Sequence, residues 1–264
     1  NVAVGGNSLD ANTTGAYNTA VGYNALGENT TANSNTAVGN ACLDANTTGS
    51  ENTAVGQGAL TSNTTASNNT AIGSNALLSN TTGGSNVAIG HDSMESTNSS
   101  DNVAVGHETM KSNSTGDKNT AIGWQALYAN TTGDRNTAVG YGALDANTTG
   151  ALNTAIGYNS MANGGGAAQQ NCALGMETLR DITTGQVNTA IGRSAGEQIT
   201  TGTNNSFIGR NAGRSGSPGG EITTGSNNII LGDQNISALF CADTSISSSD
   251  ARDKTDVTDF TKGL

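Results

Sequence analysis

A five-residue pattern of polar and apolar positions recurs along the whole chain, and residues 18–22, Asn-Thr-Ala-Val-Gly, are a typical copy. There are 14 copies, and 11 of the 13 spacings between them are 16 or 17 residues. Strand side chains alternate between faces, so a strand here would place Thr19 and Val21 on one face and Ala20 on the other. Gly22 marks a point where the chain turns or where another backbone comes close. A fixed period of this size predicts a solenoid.

A second apolar signal follows each glycine by three or four residues, as at Ala25 and Leu26. A polar segment then closes the repeat, typically Asn-Thr-Thr-Gly as at residues 46–49. Asn and Gly tolerate left-handed backbone geometry, and Thr forms local hydrogen bonds, so this segment is typical of a turn. We therefore predict a coil made of a strand, a glycine turn, a second short strand and a polar turn. Seventeen residues are too few for a helical repeat.

The turn glycine is expected to be a structural requirement of the regular coils. We predict this role for Gly22, Gly39, Gly56, Gly73, Gly90, Gly106, Gly123, Gly140 and Gly157. The spacing lengthens to 18 residues after Asn153 and to 23 after Asn205, where an insertion surrounds Pro218. We expect this insertion to form a bulge on the solenoid and not a break in it. The repeat ends at Gly232, which divides the chain into a shaft at residues 1–232 and a C-terminal segment at residues 233–264.

Composition predicts a thin core. Hydrophobic residues make up 33% of the chain, but aromatic residues only 3%, so apolar bulk is scarce. One 17-residue coil has little interior, and we therefore expect chains to associate as a parallel homotrimer that buries the Val/Ile of the pentapeptide and the Leu/Met of the second strand. About 14 coils of 16–18 residues at about 4.8 Å each would form a rod of roughly 65 Å.

The charge of the chain restricts its partners. The formal net charge is −11, and a trimer would carry three times this charge, which argues against binding to nucleic acid because phosphate recognition needs a basic face. No apolar run approaches the length that spans a membrane. No cofactor motif is visible, and we expect neither a cofactor nor a metal.

The residue directly after the turn glycine varies most between coils, and stacking would bring these side chains into one column. Five consecutive coils place a histidine or an aromatic residue there: His91, His107, Trp124, Tyr141 and Tyr158. Aromatic rows suit contact with a glycan or a protein, so this column is a candidate binding stripe. An intersubunit seam or simple side-chain stacking also explains the column and is the simpler interpretation. The two histidines lack carboxylate or Cys partners at matching positions, so we do not assign a metal site to them.

Cysteines and glycosylation triplets have simple explanations in this pattern. Cys42, Cys172 and Cys241 are far apart, lack metal-ligand spacing, and are expected to be small buried residues. Eight Asn-X-Ser/Thr triplets fall in the polar turns. In a secreted eukaryotic protein they would be glycan acceptors, but their periodicity favours turn chemistry. Their asparagines are Asn12, Asn29, Asn46, Asn63, Asn80, Asn113, Asn130 and Asn147.

The repeat resembles the head repeats of trimeric autotransporter adhesins, whose signature is a Val-Ala-Ile-Gly-like core. Residues 86–90 read Asn-Val-Ala-Ile-Gly, and residues 102–106 read Asn-Val-Ala-Val-Gly. The resemblance covers residues 1 to about 232 and implies an all-β fold, a trimeric left-handed parallel β-roll, or β-solenoid. This chain differs by having Thr where that family often has Val, and by slightly longer coils.

The C-terminal residues carry a different resemblance. Residues 249–257 read Ser-Asp-Ala-Arg-Asp-Lys-Thr-Asp-Val. This resembles the start of the intramolecular chaperone of phage tail fibres and tailspikes, the self-cleaving peptidase S74 family. The resemblance implies that Ser249 is the nucleophile, that Lys254 is its base, and that the Ser248–Ser249 bond is cut once in a precursor that carries the whole chaperone. Residues 233–264 would then be the junction to this chaperone.

These features favour a structural protein over an enzyme. We expect the shaft of a phage tail fibre or similar extracellular appendage that mediates attachment to a host glycan or protein. A bacterial trimeric adhesin head is the alternative within this class. An ice-binding β-solenoid is an alternative from another class, although adjacent threonines of an extended strand would point to opposite faces. A glycan-cleaving tailspike would need paired carboxylates, and no such pair recurs.

Overall fold

The computed structural model describes residues 1–164 and 166–237, and all its strands belong to one parallel sheet in chain order. The strands are β1 (Val2–Val4), β2 (Thr19–Val21), β3 (Thr36–Val38), β4 (Thr53–Val55), β5 (Thr70–Ile72), β6 (Val87–Ile89), β7 (Val103–Val105), β8 (Thr120–Ile122), β9 (Thr137–Val139), β10 (Thr154–Ile156), β11 (Cys172–Leu174), β12 (Thr189–Ile191), β13 (Ser206–Ile208) and β14 (Ile229–Leu231). Each strand pairs with its neighbour in the same register, as Thr19 pairs with Thr36. The all-β solenoid predicted from the period is confirmed.

The two faces of the sheet differ as the alternation predicted. Ala20, at the centre of β2, has no exposed surface, whereas the side chain of Val21 is 36% exposed and Thr19 is half-buried. The alanine column faces a column of leucines and methionines from the other side of each coil, such as Leu26 and Met94, which are fully buried. The interior is therefore two ladders of like residues, one small and one large.

The apolar pair after the glycine does not form a second strand, and that prediction is wrong. Leu26 has a φ of +53° and Asn24 a φ of +56°, which places both in the left-handed region, and the same geometry recurs in the other coils. A left-handed L-residue costs roughly 1–2 kcal/mol. Hydrogen bonds between coils offset this cost, because the backbone N–H of Leu26 donates to the carbonyl oxygen of Cys42 at 3.0 Å. The coil thus closes by tight turns around a single strand.

The nine predicted turn glycines meet both conditions that favour glycine. Their φ angles run from +127° to +141°, a region that L side chains rarely adopt. A Cβ on Gly140 would also lie 2.5 Å from the carbonyl oxygen of Gly157 in the next coil. The glycine therefore both turns the chain and permits close stacking of the coils, as predicted.

Asparagines that precede the strands form a buried ladder. The backbone N–H of Asn35 donates to Oδ1 of Asn18 at 2.9 Å, and the side-chain Nδ2 of Asn35 donates to the carbonyl oxygen of Gly49 at 2.9 Å. The next coil repeats this pattern, since the N–H of Asn52 donates to Oδ1 of Asn35. Each side chain thus joins two coils and also closes its own coil.

The asparagines of the polar turns form a second ladder. Nδ2 of Asn46 donates to Oδ1 of Asn29 at 3.0 Å and to the carbonyl oxygen of Gly49 at 2.9 Å. Both asparagines are fully buried. A side-chain nitrogen held in this way has no room for a glycan in the folded chain, so turn chemistry accounts for these triplets. From Ile182 and Ile199 onward, buried isoleucines replace this ladder.

The insertion after β13 forms a bulge, as predicted. Ser206 and Ile229 pair in register across it, so the sheet is continuous. Within the insertion, the hydroxyl of Ser217 donates to the carbonyl oxygen of Gly220 at 3.1 Å and accepts from the N–H of Gly213 at 3.0 Å. This short loop closes on itself and leaves the strand register intact.

Candidate functional site

The five predicted side chains of the binding stripe form one continuous column on the surface. Each follows a turn glycine, and the identical strand register sets them one above another. Neighbouring ring centroids are 5.0–6.1 Å apart along the column His91, His107, Trp124, Tyr141 and Tyr158. All five are exposed in the single chain, and the indole of Trp124 is 47% exposed. We call this feature the aromatic column.

The rings within the aromatic column have two orientations. His91 and His107 are stacked with 10° between their planes, and Tyr141 and Tyr158 are stacked with 18° between theirs. Trp124 is nearly perpendicular to both its neighbours, at 75° to His107 and 89° to Tyr141. The column therefore has two stacked pairs separated by one ring of a different orientation.

A charged cluster flanks the histidine end of the column. Nζ of Lys111 lies 3.1 Å from Oδ2 of Asp92, 3.2 Å from Oε2 of Glu95 and 3.0 Å from Oε1 of Glu108. Asp92 and Glu108 also approach the histidines, because Nδ1 of His91 is 3.4 Å from Oδ2 of Asp92. The sequence reasoning missed this cluster. Its signal was an acidic residue at the second position after the glycine in two adjoining coils, with Glu95 and Lys111 at the fifth position.

Lys111 controls the protonation of these carboxyls. Burial alone would raise the pKa of Asp92, but hydrogen bonds from Lys111 and Asn75 outweigh it and lower that pKa below its usual value. A hydrogen bond from Lys111, together with one from Gln125, also lowers the pKa of Glu108. The same carboxylates raise the pKa of Lys111. The shifts of Asp92, Glu108 and Lys111 thus all favour the ionised forms of these three groups.

No group of three or more His, Cys, Asp or Glu side chains in residues 1–164 and 166–237 is arranged to hold a metal ion. The expectation that the two histidines lack carboxylate partners at matching positions is wrong, because Asp92 lies 3.4 Å from His91 and Glu108 lies 3.8 Å from His107. The two imidazole rings stack on each other. The geometry of the two rings is aromatic stacking with one flanking carboxylate each.

A second ionic cluster lies in the coils near the insertion. Glu197 is almost fully buried, and its two carboxylate oxygens lie 2.6 Å from Nη1 of Arg180 and 2.7 Å from Nη1 of Arg214. Arg180 also forms a hydrogen bond through Nε to Oδ1 of Asp181 at 3.0 Å. These pairs join consecutive coils where the spacing becomes irregular, so their role is structural.

The other predicted site residues have varied outcomes. Cys42 is buried, and burial raises the pKa of its thiol, as expected of an unreactive core residue. Cys172 is exposed at the first position of β11, so the prediction that it is buried is wrong. This position lies on the outer face of the sheet in every strand. Ser249, Lys254 and Cys241 lie outside the described residues.

The chain matches no protein-family model, no curated protein and no solved structure. No helix of the described residues is long and apolar enough to cross a membrane.

Proposed function

We propose that this chain forms the shaft of a parallel homotrimeric fibre, a phage tail fibre or a similar extracellular appendage that mediates attachment to a host surface. The observation that carries this proposal is the outer face of the sheet. The third strand position points outward and is apolar in all fourteen strands: Val4, Val21, Val38, Val55, Ile72, Ile89, Val105, Ile122, Val139, Ile156, Leu174, Ile191, Ile208 and Leu231. We call this set the outer apolar column.

The size of this face favours burial between chains. Fourteen strands about 4.8 Å apart give a strip about 65 Å long, and with a width of roughly 10 Å its area is about 650 Å². Soluble monomers rarely leave contiguous apolar patches of more than a few hundred Å². A column of this length along a narrow coil suits association of identical chains in register, because each level then meets the same residue type.

Light scattering after size-exclusion chromatography tests the assembly. A particle of three chains of 26.2 kDa is expected. Ile122→Asp should disrupt it, because a carboxylate would be buried at the interface. Thr132→Asp is the matched control, since Thr132 is exposed on the far side of the coil. A folded monomer, or a trimer that Ile122→Asp leaves intact, would contradict the proposal.

The sequence of the C-terminal residues supports a further part of this proposal. If residues 233–264 lead into a self-cleaving chaperone, a chain that contains the entire chaperone should be cut at the Ser248–Ser249 bond. Ser249→Ala and Lys254→Ala should then yield longer chains that still form trimers. Mass spectrometry decides between the possibilities, because equal masses for the wild type and Ser249→Ala would mean that no cleavage depends on this residue.

Ice binding is a second candidate function, favoured by one observation. The first strand position also faces outward and is Thr in eight strands, as at Thr19 and Thr36, next to the outer apolar column. In the polar turns, by contrast, hydroxyls are engaged between coils: Oγ1 of Thr47 donates to the carbonyl oxygen of Thr64 at 3.0 Å. A thermal hysteresis assay tests this alternative, and a trimer that buries the outer face would exclude it from that surface.

A further inference from the structure

The aromatic column and the outer apolar column differ in how they vary along the solenoid. The outer apolar column is apolar in every strand. The position of the aromatic column, by contrast, is occupied elsewhere by polar and charged residues such as Gln57, Arg193 and Arg210, which are exposed. A continuous seam between identical chains would have to bury those residues as well. We therefore expect the position to be open to solvent along the fibre. Its rings form a continuous run in five coils, and Tyr23 lies apart from that run.

Ring orientation identifies the open aromatic surface within this block. The rings of the His91–His107 and Tyr141–Tyr158 pairs are nearly parallel, with centroids 5.2 Å apart. Two rings this close cannot lie side by side in one plane without overlap of their edges, so in each pair one ring covers a face of the other. Trp124 is nearly perpendicular to both of its neighbours, so its plane runs along the column and its face looks sideways, away from the other rings. Trp124 is thus the one ring of the block whose face is not covered by a stacked neighbour.

We propose that the aromatic column is a binding site for a neutral glycan and that the indole of Trp124 is the platform on which a sugar ring stacks. This inference deepens the proposed role in host attachment and rests on it. The negative face of an aromatic ring attracts the polarised C–H groups on the flat side of a pyranose. The ring spacing is comparable with the length of one hexose unit, so an extended glycan could follow the column.

The surrounding groups define the class of glycan. The hydroxyls of Tyr141 and Tyr158 and the ring nitrogens of His107 supply hydrogen-bonding groups beside the platform. In the charged cluster at the histidine end, three carboxylates, Asp92, Glu95 and Glu108, surround Lys111, so the cluster contributes a negative field at this end. A sialylated or otherwise anionic sugar would be repelled by it, which favours uncharged hexoses and N-acetylhexosamines.

Trp124 is the single tryptophan of the chain, so its intrinsic fluorescence reports directly on binding at this site. Titration of the assembled wild-type protein with neutral oligosaccharides of glucose, galactose, mannose and N-acetylglucosamine should change the indole fluorescence in a saturable way. Trp124→Ala should weaken binding to the same immobilised oligosaccharide at least tenfold, measured by surface plasmon resonance. Trp124→Phe should retain part of the affinity, since it keeps an aromatic face.

Tyr23→Ala is the matched control, because Tyr23 occupies the same position in the coil, is 57% exposed and lies outside the aromatic block. Its affinity for the oligosaccharide should equal that of the wild type. The proposal is overturned if no neutral oligosaccharide binds, if only sialylated ones bind, if Trp124→Ala binds like the wild type, or if attachment to host cells survives enzymatic removal of their glycans.

Light scattering on the same samples separates this proposal from that of the shaft. A wild-type monomer that binds the oligosaccharide through Trp124 would refute the trimeric shaft and leave the glycan site in place. A Trp124→Ala protein that no longer forms the wild-type assembly would make the column a seam between chains and would refute the glycan site.

Discussion

Asn52 offers a sharp test of the asparagine ladder that precedes the strands. Its side chain is fully buried, its Oδ1 accepts from the backbone N–H of Asn69 at 3.0 Å, and its Nδ2 donates to the carbonyl oxygen of Ala66 at 2.9 Å. In Asn52→Ala the N–H of Asn69 loses its acceptor within the chain. The carbonyl of Ala66 keeps a second donor, Nδ2 of Asn63 at 3.0 Å.

These contacts set the expected magnitude. A buried N–H left without a partner costs about 1–3 kcal/mol, and the lost hydrogen bond to Ala66 contributes about 1 kcal/mol more. Asn52→Ala should therefore lower the free energy of unfolding by about 2–4 kcal/mol. This effect comes from a polar side chain in a repeat that is otherwise described by its apolar residues.

Denaturant unfolding at a fixed chain concentration measures the effect, because the stability of an oligomer depends on concentration. Asn40→Ala is the control: Asn40 is exposed in the adjoining coil. Its substitution should change the free energy of unfolding by less than about 0.5 kcal/mol. If Asn52→Ala changed the free energy of unfolding as little as Asn40→Ala, the asparagine ladder would not stabilise the fold and this prediction would be wrong.

Asn52→Asp separates the two hydrogen-bonding roles of this side chain. The introduced carboxyl still accepts from Asn69, but when ionised it turns a second acceptor toward the carbonyl of Ala66. Burial should raise its pKa in the folded state above the unfolded value of about 3.9. Relative to wild type, the variant should therefore gain stability as the pH falls through the raised pKa, and the gain should be complete below about 3.9. A difference from wild type that does not vary with pH would contradict this assignment.

Two further predictions concern the glycine turn and the charged cluster. Gly140→Ala should destabilise the fold by more than about 2 kcal/mol, because alanine disfavours a φ of +133° and its Cβ would clash with the next coil. Gly6→Ala is the control in the same unfolding assay and should be mild, since its Cβ would meet only an aromatic ring. Lys111→Met should reduce stability near neutral pH and flatten its loss in acid. The lowered pKa values of Asp92 and Glu108 stabilise the fold above their unfolded values of about 3.9 and 4.3, and this contribution disappears as the pH falls through the lowered values. Unfolding curves of wild type and variant from pH 7 to pH 2 that stay parallel would contradict this account of the cluster.

Periodicity alone predicted the strands, their register and the aromatic column, because those features depend only on which positions repeat. Once Thr19 stacks on Thr36 in register, every residue at a given offset from the strand must stack as well. The location of His91 beside His107 therefore followed from counting residues. The ring orientations did not, since they depend on the rotamers that neighbouring side chains leave available.

The left-handed leucines could not be predicted in this way. Leu26 has no local signal for a positive φ, and an apolar pair after a glycine is typical of a strand. Its geometry is imposed by coil closure and by the hydrogen bond to the next coil. The asparagine ladders did have a signal, since an asparagine precedes the strand in every copy. Turn propensity was used to explain the asparagines of the polar turns, and the asparagine before the strand was treated only as part of the repeat, so the buried position of Asn35 was missed.

Variation between the coils of this one chain separates structural positions from candidate functional ones. The strand-start asparagine, the glycine and the buried alanine each have contacts with the coils above and below, so a change at one level disturbs its neighbours. The residue after the glycine contacts the next coil through its carbonyl oxygen, as that of Trp124 accepts from the N–H of Gly142 at 3.0 Å. This backbone contact does not depend on the side chain, which ranges from Gly6 to Trp124 to Arg210 without altering the register. A stable shaft can therefore change its surface chemistry at this position coil by coil. A run of five aromatic and imidazole rings at this position leaves the register intact, which is compatible with the glycan site that we propose.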